Sequence, residues 1–191
     1  MPKTRKTSKS KSSKKTFRLS LFLLLVGILL ISASIILKND ANKLSFNDQL
    51  LYSPRVLTEV TFKPIQIEIP DVNVKLPIEK TTITNGTWQI AQNGVSYLDF
   101  SSGIGDDTAA IMYSHNTKDR FGPILKLENG DKIKITATDN TVRSYRVINT
   151  ETVTPDRIDV LTSTKGEVLV LYTCTGFLDS KRFIVKALPI I

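Results

Sequence analysis

The sequence has one cysteine and one histidine, and both follow apolar stretches that are typical of strands. Cys174 ends the stretch Val170-Leu171-Tyr172-Thr173-Cys174, and His115 follows the stretch Ala109-Ala110-Ile111-Met112-Tyr113. A thiol with an imidazole as its proton partner is the minimum required for acyl transfer through a thioester. Cys174 and His115 are therefore candidates for the nucleophile and its acid-base partner.

A third candidate, Arg182, begins the apolar stretch that follows Cys174 along the chain. The short polar connection predicts a hairpin, and paired strands lie about 4.8 Å apart. A guanidinium beside the sulfur would be a fixed cation near the oxyanion that forms when a thiolate attacks a carbonyl.

The same residues are compatible with a structure that does no chemistry. A lone cysteine in a strand is often a small buried apolar residue, and a single histidine or arginine often has no chemical role. An anchored β-barrel binding module with a buried Cys174 therefore remains open at this point.

From about Pro64 onward, the chain consists of short segments with the period-two alternation of strands. They are separated by turn residues such as Asn85-Gly86 and Asn129-Gly130. No sustained helical period interrupts them, which excludes a doubly wound fold, and no Gly-rich phosphate motif occurs. Eight strands predict an all-β barrel or sandwich: Ile65–Ile69, Val72–Leu76, Val95–Leu98, Ala109–His115, Lys132–Thr138, Val142–Asn149, Val168–Thr173 and Phe183–Leu188.

The net charge of +8 lies in the first 18 residues, which hold eight Lys or Arg and no acid. Residues 19–37 carry no charge, and as a helix they would be roughly 28 Å long, enough to span a bilayer. The positive-inside rule then predicts a cytoplasmic N-terminus and an extracellular remainder. A cleaved signal peptide is the alternative, although the apolar stretch is long for one. Beyond the tail the basic and acidic residues balance, so nucleic acid is not an expected partner.

These patterns predict four parts of the chain. Residues 1–18 form a basic cytoplasmic tail, 19–37 a transmembrane signal anchor, 38–61 an extracellular stalk with one short helix, and 62–191 the folded domain, which the family resemblance described below implies is the catalytic domain. The helix in the stalk is predicted from the spacing of Leu44 and Leu51 and of Phe46 and Leu50. Cofactors are not expected. Four aspartates in predicted loops are available as calcium ligands, namely Asp99, Asp106, Asp107 and Asp139, but no metal site is predicted.

The segment around Cys174, with Arg182 and one upstream histidine, resembles the signature of the sortase family. That signature reads Thr-Leu-x-Thr-Cys with an arginine some eight residues later. This chain has Val170 at the first threonine, and Ser114 where many sortases have glycine before the histidine. Further similarity lies in Ile67-Glu68-Ile69-Pro70, in Leu127-x-x-Gly130-Asp131 and in Tyr145-x-Val147, and the whole likeness extends from about Phe62 to Pro189.

The resemblance implies an eight-stranded sortase-like β-barrel with short helices, preceded by one N-terminal transmembrane helix. It also implies a cysteine transpeptidase that cleaves a Leu-Pro-x-Thr-Gly-like sorting signal of surface proteins between Thr and Gly. The acyl group would pass to an amine of a peptidoglycan precursor or of another protein. Cys174 would be the nucleophile, His115 the acid and base, and Arg182 the oxyanion ligand. Thr173 would bind substrate or orient the site.

The class of sortase follows from the connections between the strands. Ser53-Pro54-Arg55 is the nearest equivalent to the Asp-Pro-aromatic lid of pilin-polymerising sortases, and residues 175–181 form a short connection. A housekeeping-like or small specialised sortase is therefore expected. The other alternative is a different exported cysteine peptidase or wall transpeptidase that uses the same thiol.

Overall fold

A computed structural model describes residues 13–38, 44–46, 62–84, 86–98, 109–162 and 166–190. The chain divides into two units, Met1–Asp40 and Ala41–Ile191. The first unit holds one helix, α1 (Ser13–Lys38), which includes the predicted anchor segment. Across the described ranges, no helix meets the combined length and apolarity of a membrane-spanning helix.

The second unit is built around a closed barrel of eight strands in the order β1-β2-β5-β6-β9-β10-β8-β7. A separate hairpin is formed by β3 and β4. The pairs β2–β5 and β6–β9 are parallel, and the other pairs of the barrel are antiparallel. The strands are β1 (Pro64–Ile69), β2 (Val74–Thr81), β3 (Ile83–Thr84), β4 (Thr87–Trp88), β5 (Val95–Leu98), β6 (Ala109–Tyr113), β7 (Lys132–Ala137), β8 (Val142–Val153), β9 (Val168–Thr175) and β10 (Lys181–Pro189).

Among the described residues of this unit, helical structure is limited to short segments. One helical turn, α2 (Asp159–Thr162), lies between β8 and β9. The 3-10 turns are Pro70–Val72, Gly122–Lys126 and Phe177–Asp179. The all-β barrel with short helices expected from the sequence is therefore confirmed.

The eight predicted strands are the eight strands of the barrel, but the second begins later than predicted. Val72, expected in that strand, lies in the 3-10 turn that Pro70 starts. Asn73 then adopts a left-handed conformation with φ 60° before β2 begins. The β3–β4 hairpin was not predicted, because its two-residue strands are too short to show an alternation.

Strand β9 is buried on both faces, which explains why its sequence is apolar without interruption. Leu169 and Leu171 face the barrel interior, whereas Val170, Tyr172 and Cys174 belong to a second buried cluster on the outer face. That outer cluster is covered by side chains from the β3–β4 hairpin, from α2 and from the segment Leu44–Phe46, which together contribute Ile83, Trp88, Val160, Leu161, Leu44 and Phe46.

Past Lys38, which ends helix α1, the described residues of the predicted stalk form no helix. Residues 44–46 are a turn followed by coil, and Leu44 and Phe46 are buried in the outer cluster. Their apolar character therefore reflects packing against the barrel and not one face of a helix. Leu50 and Leu51 lie outside the described residues.

Candidate active site

Strands β9 and β10 bring Arg182 directly opposite Cys174. The two strands are antiparallel, and their register pairs Arg182 with Cys174 and Phe183 with Thr173. The connecting turn is tight, with Gly176 at φ 80° and Leu178 at φ 51°. The hairpin expected from the sequence therefore forms, with Cys174 inside β9 and not at its last residue.

His115 follows β6, the strand on the other side of β9 from Arg182. Strands β6 and β9 are parallel and pair Tyr113 with Tyr172. The Ser114 amide donates to the Tyr172 carbonyl at 3.4 Å, so the chain continues alongside β9 past the end of β6. His115 and Cys174 each follow two residues after this tyrosine pair, so the fold brings their chain segments next to each other.

Cys174 and Arg182 also share one face of the sheet. Alternate residues of a strand point to the same face, so Cys174 points with Tyr172 to the outer face. By the same alternation, Arg182 points to the same face as Ile184, another member of the outer cluster, whereas His115 lies in coil beyond the end of β6. The fold therefore brings the chain segments that carry His115, Cys174 and Arg182 side by side as one row.

The main chain around His115 is held by hydrogen bonds from its own loop and from β9. The His115 carbonyl accepts the amides of Thr117 and Phe121, both at 3.0 Å. The buried Thr173 hydroxyl donates to the Ser114 carbonyl at 2.8 Å. Thr173 was expected to bind substrate or orient the site. Its hydroxyl links β9 to the segment Ser114–Phe121, which contains His115 and is called the histidine loop below.

The guanidinium of Arg182 is almost fully buried, with 3% of the residue exposed. Its Nη1 donates to the carbonyls of Asp179 and Lys181, at 2.9 and 3.0 Å. Its Nη2 donates to the Ser45 carbonyl at 2.9 Å. The buried Nε has no hydrogen-bond partner among the residues that the structure describes. Arg182 therefore already holds peptide carbonyls and retains one free donor.

The segment Leu44–Phe46 lies against the outer face beside this row. The Tyr172 hydroxyl donates to the Leu44 carbonyl at 3.1 Å, and the Trp88 amide donates to the Ser45 hydroxyl at 3.4 Å. The Phe46 ring packs against Tyr172 and Trp88, with centroids 5.1 and 5.8 Å apart. Sequence reasoning missed this contact because the segment is separated from the barrel by residues with no strand pattern.

Cys174 is buried, with only 4% of the residue exposed, in the same cluster as Leu44 and Phe46. The Arg182 guanidinium also lies over the Phe46 ring, 5.8 Å from its centroid. A thiol that attacks a peptide must be reached by that peptide. The described conformation is therefore one in which the outer face near Cys174 is covered.

Two buried tyrosines form part of the floor beneath this cover. Tyr113 and Tyr172 stack with centroids 5.1 Å apart, and Tyr113 also contacts Trp88. The Tyr113 hydroxyl donates to the Gln89 carbonyl and lies 3.1 Å from the Thr81 hydroxyl. Burial raises the pKa of Tyr113 to about 12. The phenol is therefore neutral at physiological pH, and its role is packing rather than proton transfer.

Within the described ranges, no group of three or more His, Cys, Asp or Glu could hold a metal ion. Asp139 instead accepts hydrogen bonds from the amide and hydroxyl of Thr141, at 3.0 and 2.6 Å. Asp99, Asp106 and Asp107 lie outside the described residues.

A family comparison identifies this barrel. Residues 67–190, well over half of the chain, match the family model for the sortase domain. The chain belongs to the sortase family. The match includes His115, Cys174 and Arg182 within its span.

Curated relatives agree with this assignment. Sortase A of Listeria monocytogenes is 31% identical over 119 residues, covering 62% of this chain and 52% of the relative. Sortase A of Bacillus anthracis is 29% identical over 128 residues, covering 63% of this chain and 56% of the relative. This sortase thus spans only about half the length of the curated relatives it matches.

Solved sortase structures share the same fold. Sortase C1 from Streptococcus agalactiae superposes with a TM-score of 0.60 at 28% identity, covering 73% of this chain and 74% of that one. Sortase C from Clostridium perfringens superposes with a TM-score of 0.57 at 28% identity, covering 68% of this chain and 71% of that one. Since the relatives include both sortase A and sortase C, the class expected from the sequence stays a prediction.

Proposed function

We propose that this sortase is a cysteine transpeptidase that anchors surface proteins covalently through a Leu-Pro-x-Thr-Gly-like sorting signal. The observation that carries the proposal is the row of His115, Cys174 and Arg182. A nucleophile flanked by a proton-transfer group and a fixed cation is suited to acyl transfer, because the reaction needs both a proton donor and an oxyanion ligand.

In the first half of the reaction, the Cys174 thiolate attacks the threonine carbonyl of the sorting signal. A carbon–sulfur bond forms and the carbonyl oxygen becomes an oxyanion. When this intermediate collapses, the bond to the glycine nitrogen breaks, and the His115 imidazolium gives its proton to the leaving amine. The products are a thioester on Cys174, a neutral imidazole and a free glycine amine.

In the second half, an incoming amine attacks the thioester while neutral His115 accepts the proton that the amine loses. The new amide forms, and Cys174 leaves as a thiolate beside a protonated His115. The two halves together restore the starting ionisation states, so the proton balance closes without a further group. The acceptor amine belongs to a peptidoglycan precursor or to another protein.

Arg182 would bind the oxyanion and a substrate carbonyl. Its guanidinium already holds the Ser45 carbonyl through Nη2, and its Nε is a buried donor without a described partner. A planar guanidinium donates in fixed directions, so it can bind two acceptors at once. We propose that substrate carbonyls replace Ser45 at this position during turnover.

We also propose that residues 19–37 anchor the enzyme in the cell membrane by a single pass, with the catalytic domain outside. The segment is uncharged, follows a basic tail and lies within helix α1. The test is protease treatment of intact cells that carry an epitope at each end of the chain. The account expects loss of the C-terminal epitope only, and loss of the N-terminal epitope alone would reverse the proposed orientation.

The activity is tested with the full chain in detergent micelles, a library of Leu-Pro-x-Thr-Gly-like peptides, and triglycine as the amine. The expected product is a peptide joined to triglycine at its threonine. Cys174→Ala is the matched control and should give neither cleavage nor transfer. Recovery of intact peptides alone from a folded enzyme would contradict the proposed activity. Release of wall peptides that lack a sorting signal would favour the alternative of a wall peptidase.

A further inference from the structure

Arg120 is a partly buried residue five positions after His115, and its guanidinium binds three carbonyls of another segment. Nη1 donates to the carbonyls of Ala91 and Gly94, at 3.3 and 3.2 Å. Nη2 donates to the Gln92 carbonyl at 2.5 Å. One side chain of the histidine loop is therefore joined to the turn at residues 91–94, which precedes β5.

That turn is itself fixed to the barrel. The amides of Gln92 and Asn93 donate to the Glu79 carboxylate of β2, at 3.3 and 3.1 Å. Gly94 has φ 143°, and a Cβ there would lie 2.2 Å from the Pro77 carbonyl oxygen. The Ala91 amide donates to the buried Ser96 hydroxyl at 2.8 Å. A side chain that binds this turn is therefore fixed in position relative to β2 and β5.

The histidine loop carries that constraint from Arg120 to His115. The Arg120 amide donates to the Thr117 carbonyl at 3.1 Å, and the amide of the next residue, Phe121, donates to the His115 carbonyl at 3.0 Å. On the other side of His115, the Ser114 hydroxyl donates to the Gly94 carbonyl at 2.6 Å. The Gly94 carbonyl thus accepts from side chains that flank His115 on both sides.

We propose that Arg120 is a positioning residue that holds His115 level with Cys174. This inference rests on the proposed function only where it concerns turnover. A guanidinium reaches three carbonyls because its N–H groups point in different directions within one plane, whereas a lysine ammonium is a single point of charge. Removal of Arg120 breaks the side-chain hydrogen bonds that tie the loop after His115 to the turn at residues 91–94, while Ser114 and Thr173 still hold the main chain before it.

The first test uses the fact that His115 is the only histidine in the sequence. In the full chain labelled with ¹⁵N-histidine, the imidazole nitrogens give one unambiguous set of NMR signals. Arg120→Ala should broaden these signals or move them toward the values of a free histidine, and Arg120→Lys should have a smaller effect. Arg146→Ala, which removes an exposed arginine of β8, is the matched control and should leave the signals unchanged.

The second test is turnover of a sorting-signal peptide by the full chain. A displacement of about 1 Å in a catalytic group can lower the rate about 100-fold. We expect kcat of Arg120→Ala to fall about 10-fold to 100-fold while KM changes less than about twofold, because Arg120 holds His115 and does not bind the peptide. Added guanidinium at millimolar concentration should restore part of kcat in Arg120→Ala and none in His115→Ala.

The outcomes separate this inference from the proposed function. Unchanged histidine signals together with a kcat within about twofold of the parent in Arg120→Ala would overturn the role of Arg120. Altered signals in an enzyme whose parent transfers no peptide would support the positioning role and contradict the proposed activity. If Arg120→Ala does not fold by circular dichroism, Arg120→Lys is judged instead, and parent-like signals and kcat in that variant would overturn the inference.

Discussion

Because the segment Leu44–Phe46 covers Cys174, we predict that loosening this segment makes the thiol more reactive toward small reagents. Phe46 contacts Tyr172, Trp88 and Arg182, and only 4% of it is exposed. Phe46→Ala removes all three contacts without changing a residue of the proposed catalytic row. The segment Leu44–Phe46 should then leave the outer face more often, and Cys174 should be reached more often by small reagents.

The magnitude follows from the contacts that are lost. Burying a phenylalanine side chain contributes about 1.5 to 3 kcal/mol, and an aromatic pair adds about 0.5 to 1.5 kcal/mol. Some of this is recovered when the alanine variant packs again, so we take about 2 to 3 kcal/mol as the net loss. Since 1.4 kcal/mol is about tenfold in an equilibrium constant, the population with the segment released should rise about 30-fold to 150-fold.

The assay is alkylation of Cys174 by iodoacetamide, followed by intact mass, and the chain has no other cysteine. When opening is fast relative to alkylation, the labelling rate follows the population of the open form. Ile148→Ala, at an exposed position of β8, is the control and should label like the parent. A rate for Phe46→Ala within about threefold of the parent would refute the argument that this segment covers the thiol.

Three further predictions concern the site and its supports. Arg182→Lys should lower turnover of a sorting-signal peptide about 100-fold to 1000-fold. Lys181→Ala, on the opposite face of β10, should lower turnover less than about threefold. If the two variants have equal effects in a steady-state assay, Arg182 is not an oxyanion ligand. Thr173→Val leaves the buried Ser114 carbonyl without its side-chain donor, so denaturant unfolding should show a loss of about 1 to 3 kcal/mol that Thr173→Ser largely avoids. Burial raises the pKa of Tyr113 to about 12, so as the pH rises the unfolded chain loses the Tyr113 proton before the folded chain does. The free energy of unfolding should therefore decline between about pH 10 and pH 12. Tyr113→Phe should make that decline shallower in alkaline unfolding followed by circular dichroism, and an identical slope would contradict the assignment.

The barrel could be predicted because its strands alternate apolar and polar residues where one face is exposed. Where both faces are buried, the strand residues are continuously apolar. Strand β1, Pro64–Ile69, shows the alternation, and β9, Val168–Thr175, shows the continuous pattern. The hairpin that pairs Cys174 with Arg182 was also predictable, since it depends only on the short connection between two strong strands.

The parallel pairing that brings His115 beside Cys174 could not be predicted from spacing. Strands β6 and β9 are far apart in the sequence, and a crossover connection leaves no local signal of its partner. The residue pattern places His115 at a strand end and makes it a candidate partner of Cys174, but it does not show that their chain segments are neighbours.

The cover formed by Leu44–Phe46 and the contacts of Arg120 were missed for related reasons. Both depend on side chains that bind main-chain carbonyls of distant segments, as Arg182 binds Ser45 and Arg120 binds Gln92. Every residue has a main-chain carbonyl that can accept a hydrogen bond. The residue types therefore do not show which carbonyl a given arginine will bind.

The central claim is that Cys174 forms a thioester with the threonine of a sorting signal. Intact-mass spectrometry of the full chain, mixed with a Leu-Pro-x-Thr-Gly-like peptide and no amine acceptor, tests it directly. The account predicts an added mass equal to the acyl portion of the peptide, located at Cys174, lost on addition of triglycine and absent in Cys174→Ala. Peptide cleavage that persists in Cys174→Ala, or an acyl adduct on a different residue, would contradict it.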